Sequence, residues 1–260
     1  MIKKTGLLAG LAIGCVLSAP AAFAEEYQGF YFGVWGGSGE SDFFSKGAYD
    51  DAIIAALPGD IANIPLSTLT LNGIGNSDLD DSLSVWGAQV GYRFNKFVAA
   101  EFGYVDLGEL LYRLPGDVSG TYRYQVSCGC TENTVTTVTV PLNGSFERAT
   151  QITSSGITGS VLGMFPINQN FDLHVRGGLY MADTRVTNRI RYVSSDPVLN
   201  IAHGRVDASQ TELFGGLGAA WNINENFTLR VEYQKFFDVG DDEKTGESDI
   251  DVLNVAVLFK

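Results

Sequence analysis

Seven polar side chains stand at even spacings inside otherwise apolar, alternating segments: Gln89 and Arg93, Glu101, His174 and Arg176, and Arg230 and Glu232. Brought together, acids and bases of both signs form charge-assisted hydrogen bonds, and next to a nucleophile they move protons. Hydrolysis needs a base together with a nucleophile or an oriented water. The chain has only two histidines. His174 has no serine at a matching spacing, and His203 beside Asp207 reads as an ordinary pair in a polar loop, so no catalytic residue and no enzyme are expected. Cys128-Gly129-Cys130 is the other reactive group. In an oxidising compartment the two thiols form either a strained small-ring disulfide or free or intermolecular thiols. Further ligands for a metal are missing nearby, so neither a metal nor a cofactor is expected.

The segments that must position these residues are strands. Alternation of apolar and polar side chains predicts eight of them, at 29–37, 83–94, 97–107, 153–165, 171–181, 212–221, 227–236 and 249–260. The clearest is the fifth, where Phe171, Leu173, Val175, Leu179 and Met181 alternate with Asp172, His174, Arg176 and Tyr180. Period-2 geometry puts Val98, Leu173, Val175, Leu229 and Val231 on one face and the charged set on the other. Connections after the second, fourth and sixth strands are short and the other connections are long. Even strand number with one short-turn rim and one long-loop rim fits a transmembrane barrel. Aromatics fall near strand ends at Trp86, Tyr92, Phe94, Phe97, Phe165, Phe171, Trp221 and Phe227, and several of them flank the short turns, where a girdle belongs. A soluble sandwich or lipocalin-type barrel is the competing fold, with the faces exchanged.

Both ends of the chain agree with export and insertion. Lys3-Lys4, the apolar stretch 7–17 and Ala22-Phe23-Ala24 predict a signal peptide over 1–24, followed by a barrel domain at 25–260. A lipoprotein-type cut before Cys15 matches less well. Loss of Lys3 and Lys4 leaves 15 of the 17 basic residues against 30 acidic ones, so nucleic acid is not an expected partner. At the other end Leu253, Val255, Val257 and Phe259 form an apolar face on the last strand. An unpaired terminal strand is a sticky edge that barrel closure removes. An aromatic at this place resembles the terminal assembly signal of bacterial outer-membrane barrels, with Lys260 after it as a small departure.

The chain resembles the OmpA-type family of small outer-membrane barrels over its whole mature length. The matching stretches are Gly29-Phe30-Tyr31-Phe32-Gly33-Val34, Gly87-Ala88-Gln89-Val90-Gly91-Tyr92-Arg93-Phe94, Gly215-Gly216-Leu217-Gly218-Ala219-Ala220-Trp221 and the strand ending at Phe259, in that order. The resemblance implies an all-β, eight-stranded antiparallel barrel in the Gram-negative outer membrane, with outer-membrane lipid and the barrel assembly machinery as partners. No peptidoglycan-binding domain is expected after Lys260. Fold alone does not fix function.

Eight strands enclose a lumen that side chains nearly fill. Glu101, His174, Arg176, Arg230 and Glu232 are expected in one tier about 10–17 Å above the short-turn rim; Arg93 with Glu101, His174 with Arg176 and Arg230 with Glu232 are the inward sets, and charges of both signs there are expected to pair and hydrogen-bond. Gly216 and Gly218 on the inner face leave room for water. The tier reads as a satisfied barrel core, or else as a plug or gated narrow pore. Loop one, 38–82, is unusually apolar and either closes the mouth as a lid, with Asp50 capping a short helix, or presents a binding patch. Loop two, 108–150, is expected to rise as a hairpin with Cys128 and Cys130 at its tip; counting its arms as spans would give ten strands. The expected role is structural or adhesive, through exterior loops that meet an unidentified host or surface ligand. A narrow passive channel for small solutes is the alternative.

Overall fold

The computed structural model describes residues 28–41, 50–51, 54–57, 61, 67–80, 82–127, 135–192, 199–241 and 244–260. The expected signal peptide at 1–24 and the side chains of Cys128 and Cys130 lie outside them. Among the described residues no helix is long and apolar enough to cross a membrane. The described residues form ten strands, in chain order β1 Gly29–Ser41, β2 Ser67–Ile74, β3 Asp78–Asp80, β4 Ser82–Arg93, β5 Val98–Ser127, β6 Val135–Pro166, β7 Phe171–Tyr192, β8 Leu199–Asn222, β9 Phe227–Asp241 and β10 Gly246–Phe259.

Eight of these close a ring in which every neighbour is antiparallel: β1 pairs with β4, the sequence β4 to β10 continues strand by strand, and β10 returns to β1. The seam runs from Phe32 opposite Phe259 to Ser41 opposite Ile250. Every edge within the ring is thereby paired. The two extra strands, β2 and β3, continue β4 upward along the side of β5.

Each short turn is built by an asparagine. The side-chain oxygens of Asn95, Asn168 and Asn224 accept backbone N–H groups two and three residues on, as in Asn168 with Asn170 and Phe171 at 2.8 and 3.0 Å. An Asx turn replaces the missing ladder partners at the tightest point of the chain.

Alternation continues past the membrane-length segments, and its chemistry inverts. On the lower part of β7, Leu173, Val175, Leu179 and Met181 point out and Asp172, His174 and Arg176 point in. Higher on the same strand, Ala182, Val186, Ile190 and Tyr192 are buried inside while Asp183, Arg185 and Arg189 are exposed. Lipid faces the lower part and water the upper part, so the outward side chains change class while the pleat stays in phase. This inversion corrects the expected strand ends. About 9–11 residues suffice to span the bilayer, whereas β5 has 30 residues and β6 has 32. The expected hairpin in loop two is the continuation of β5 and β6, paired up to Ser127 opposite Val135. The long connection after the fifth expected strand, 182–211, is in its described part mostly paired strand of β7 and β8. A wall formed by β5 to β8 therefore stands above the belt on one side of the barrel.

Where β5 passes the top of β4, a bulge lies between Asp106 and Glu109. Gly108 takes a φ of 84° there, its N–H donating to the Asp106 carboxylate at 2.9 Å, and a Cβ would sit 2.7 Å from the Ser84 carbonyl oxygen. Only glycine fits this corner.

Loop one is described in part, and its buried apolar residues pack against the wall. Its helical backbone lies at 50–51, 54–57 and 61. Leu57, Ile61 and Leu69 are buried with Tyr112, Leu114 and Val118 of β5, Phe146 of β6, and Ile190 and Tyr192 of β7. The loop thus covers the inner face of the wall. Asp50 lies within the helical backbone, and its carboxylate accepts the Tyr112 hydroxyl at 2.6 Å.

The terminal strand carries the seam. Leu253, Val255 and Val257 point outward, and Phe259 stacks on Phe32 at 5.0 Å and meets Phe227 edge-on at 5.1 Å. Phe259→Ala removes both ring contacts at the closure, worth about 0.5–1.5 kcal/mol each beyond burial. The expected outcome is less heat-modifiable, folded protein in the membrane fraction; unchanged folded yield would refute a role in assembly.

Candidate functional site in the barrel lumen

The charged residues converge on Glu101. Its Oε1 accepts the Tyr31 hydroxyl at 2.6 Å and Arg230 Nη2 at 2.8 Å, and its Oε2 accepts Arg176 Nη2 at 2.5 Å. Arg176 Nε lies 2.7 Å from Glu232 Oε1, Arg230 Nη1 lies 3.9 Å from Glu232 Oε2, and His174 Nε2 lies 3.5 Å from the same oxygen. All six side chains are buried. Two carboxylates and two guanidinium groups cancel in charge, which is how a low-dielectric lumen tolerates ions.

The strands place these groups by register. Counted from the first residue of each strand, Glu101 and Arg230 stand three positions up β5 and β9, and His174 stands three up β7, while Arg176 and Glu232 stand five up. Across the lumen these heights meet. Arg93, with only the turn below it, sits lower, beside Asp172. Its Nη1 donates to Asp172 at 3.3 Å, and its Nε and Nη2 donate to the carbonyls of Asn95 and Lys96. Asn222 Nδ2 donates to Asp172 at 3.2 Å, and Asn222 Oδ1 accepts from Thr228 and from Lys260 Nζ at 3.1 Å. A second polar layer thus closes the periplasmic mouth. Gln89 is buried on the inner face of β4, and its Nε2 has no hydrogen-bond partner among the described residues.

The inner glycines hold side chains, not water, contrary to the expectation. A Cβ on Gly218 would lie 2.7 Å from His174 Cε1 and 2.4 Å from the Val231 carbonyl oxygen, and one on Gly216 would lie 3.0 Å from Glu232 Oε1. His174 and Glu232 occupy that volume because β8 offers no side chain there.

Above the tier the lumen turns apolar. Leu83, Val85, Val105, Leu107, Val252 and their neighbours form a core in which Phe214 stacks on Phe236 at 5.1 Å and Tyr180 meets Phe236 edge-on at 5.2 Å. The cavity beside this core, near Leu107, Ile152 and Ser154, measures only ≈20 Å³. That is about the room one water needs.

Beyond the expected Glu101, His174, Arg176, Arg230 and Glu232, all of them buried, the structure adds Tyr31, the Asp172 layer and the apolar core. Asp172 and Tyr31 were legible as inward positions; their partners depend on contacts across the lumen. Asp207 is held by two arginines. Arg185 and Arg205 both donate to its carboxylate at 2.8 Å, and these hydrogen bonds keep it below the ordinary carboxylate range. The His203 side chain lies outside the described residues. Among the described residues, no group of His, Cys, Asp and Glu has the arrangement of a metal site.

An apolar outward belt, rings at the turns and a closed antiparallel sheet define an outer-membrane β-barrel. The belt includes Phe32, Val90, Phe102, Val161, Leu217, Val231 and Leu253, and the turn rings pair as Phe30 with Tyr92, Tyr92 with Phe94, and Phe171 with Trp221. Over residues 28–260 the chain matches the OmpA-like transmembrane domain, and it belongs to that family. No curated protein sequence matches it. Solved structures with a similar fold include Neisserial surface protein A, at 12% identity over 91% of this chain and 99% of that one with a TM-score of 0.48. Ail of Yersinia pestis aligns at 12% identity over 88% of this chain and 98% of that one, with a TM-score of 0.37. The outer membrane protein OprG of Pseudomonas aeruginosa aligns at 11% identity over 90% and 95%, with a TM-score of 0.37.

Proposed function

We propose that this barrel is a surface interaction protein of the Gram-negative outer membrane, acting through its exterior wall and loop one, and not an open channel or an enzyme. The observation that carries the reading is the filling of the lumen: a polar layer at Arg93 and Asp172, the Glu101 tier and an apolar core stand in series. Above the belt, by contrast, β5 to β8 build a surface that insertion does not require. Export by a signal peptide over 1–24, delivery to the barrel assembly machinery and recognition of a host or surface ligand belong to the same reading.

Planar-bilayer recording on the purified barrel tests it. The expected result is no steady conductance in the native protein, and none after Arg176→Ala or Glu232→Ala, because the apolar core still seals the upper lumen. A stable open level in the native protein, enlarged by either substitution, would replace the interaction reading with that of a narrow passive channel. Silent bilayers together with lost surface binding in cells lacking the chain would support the proposal.

A further inference from the structure

On the outer face of the barrel, where the belt gives way to the wall, lies a groove of ≈650 Å³. Strand register builds it from two rows of outward side chains. Tyr104, Ile157, Met181 and Thr211 are cross-strand neighbours in the lower row, and Ser155, Asp183 and Ser209 are neighbours in the upper row. The lower row is bulky and mostly apolar and the upper row is short and polar, so a trench runs across β6, β7 and β8. Beside it Trp86 of β4 packs on Tyr104 at 5.7 Å with both rings exposed, as aromatics do where hydrocarbon meets headgroups. The trench therefore lies at headgroup level on the exterior side of the membrane.

The lining decides which headgroup fits. Asp183 accepts the Ser209 hydroxyl through Oδ1, and its Oδ2 has no partner among the described residues. The hydroxyls of Ser155 and Thr211 make no hydrogen bond among the described residues either. None of the lining residues is cationic, and Arg185 and Arg205 above them are both engaged by Asp207. A phosphate would meet the charge of Asp183 with no unpaired cation to offset it. A polyol instead brings hydroxyl donors to the carboxylate and acceptors to the serine and threonine hydroxyls. Below the trench the belt is smooth. A Cβ on Gly159 or on Gly177 would meet nothing within 4 Å, so an extended acyl chain can lie against the backbone beside Phe102, Leu179 and Val161.

We propose that the trench binds a glycolipid of the exterior leaflet, its sugar hydrogen-bonded to Asp183, Ser155 and Thr211 and its acyl chain running down over Gly159 and Gly177. This site depends only on where the belt ends, not on which partner the exterior wall meets.

The intact barrel in dodecylphosphocholine micelles, titrated with dodecyl maltoside and followed by amide NMR, tests it, because the two detergents share a tail and differ in headgroup. The expected result is a saturable shift of the Ser155, Asp183 and Ser209 amides. Small shifts spread evenly around the belt would mean that the micelle merely changes composition, and would overturn the proposal. So would saturable shifts in the reverse titration alone, which would mark a phosphate site. Asp183→Leu should weaken the apparent affinity for maltoside about tenfold, as expected for loss of a charged acceptor; unchanged affinity, or equal weakening by Arg189→Gln higher on β7, would refute recognition by the trench. Ser155→Trp fills the groove from β6 and should abolish saturation at Asp183 and Ser209. Saturation in that variant would also overturn the site.

Discussion

Glu101→Ala is expected to destabilise the folded barrel by about 3–5 kcal/mol, the cost of breaking a buried ion pair from one side. The substitution removes the acceptor of both Arg176 Nη2 and Arg230 Nη2, along with that of the Tyr31 hydroxyl. Arg176 keeps Glu232 at 2.7 Å, but the nearest remaining Glu232 oxygen is 3.9 Å from Arg230 Nη1, too far for a hydrogen bond. A guanidinium is left buried and uncompensated. Urea titration of folding into lipid vesicles, followed by tryptophan fluorescence, measures the change. The companion double variant Glu101→Leu with Arg230→Met removes the stranded charge as well and should recover most of the loss. A loss under about 1 kcal/mol in Glu101→Ala would mean that the tier is wet and weakly coupled.

The second large effect is on the opposite face. Val231 points into the belt one residue away from Glu232, which points into the lumen. Val231→Arg should cost about 2–4 kcal/mol if Val231 lies near the bilayer midplane. Thr211→Arg, also outward but on β8 where exposed residues have turned polar, should cost little in the same assay. Equal costs at the two sites would contradict the boundary between belt and wall. Because a one-residue register shift exchanges the faces completely, the pair of measurements also tests strand phase.

Much of this architecture was legible because a strand has only two faces. Period 2 placed Val175 and Val231 against lipid and Arg176 and Glu232 in the lumen, the asparagine-bearing turns marked one rim, and the last strand's apolar face called for a closing neighbour. A local pattern does not carry the partners that meet across the barrel. Arg93 and Glu101 both point inward, yet the turn at Asn95 holds Arg93 below the tier, and Asp172 from β7 reaches it. Gly216 and Gly218 looked like vacant space, and residues on the neighbouring strands fill it.

What the sequence by itself determined is therefore the set of facing directions, the family and the membrane in which the chain belongs, since these follow from short-range periodicity and from the order of local motifs. The tertiary structure alone decided which charges meet, that the upper lumen is an apolar core, and that β5 to β8 continue as a wall covered by loop one. The physical reason is that outward side chains answer to lipid or water according to height, so their alternation inverts along one continuous strand, and only ring closure brings Glu101, Arg176 and Arg230, 129 residues apart at the extremes, within one hydrogen-bonded cluster.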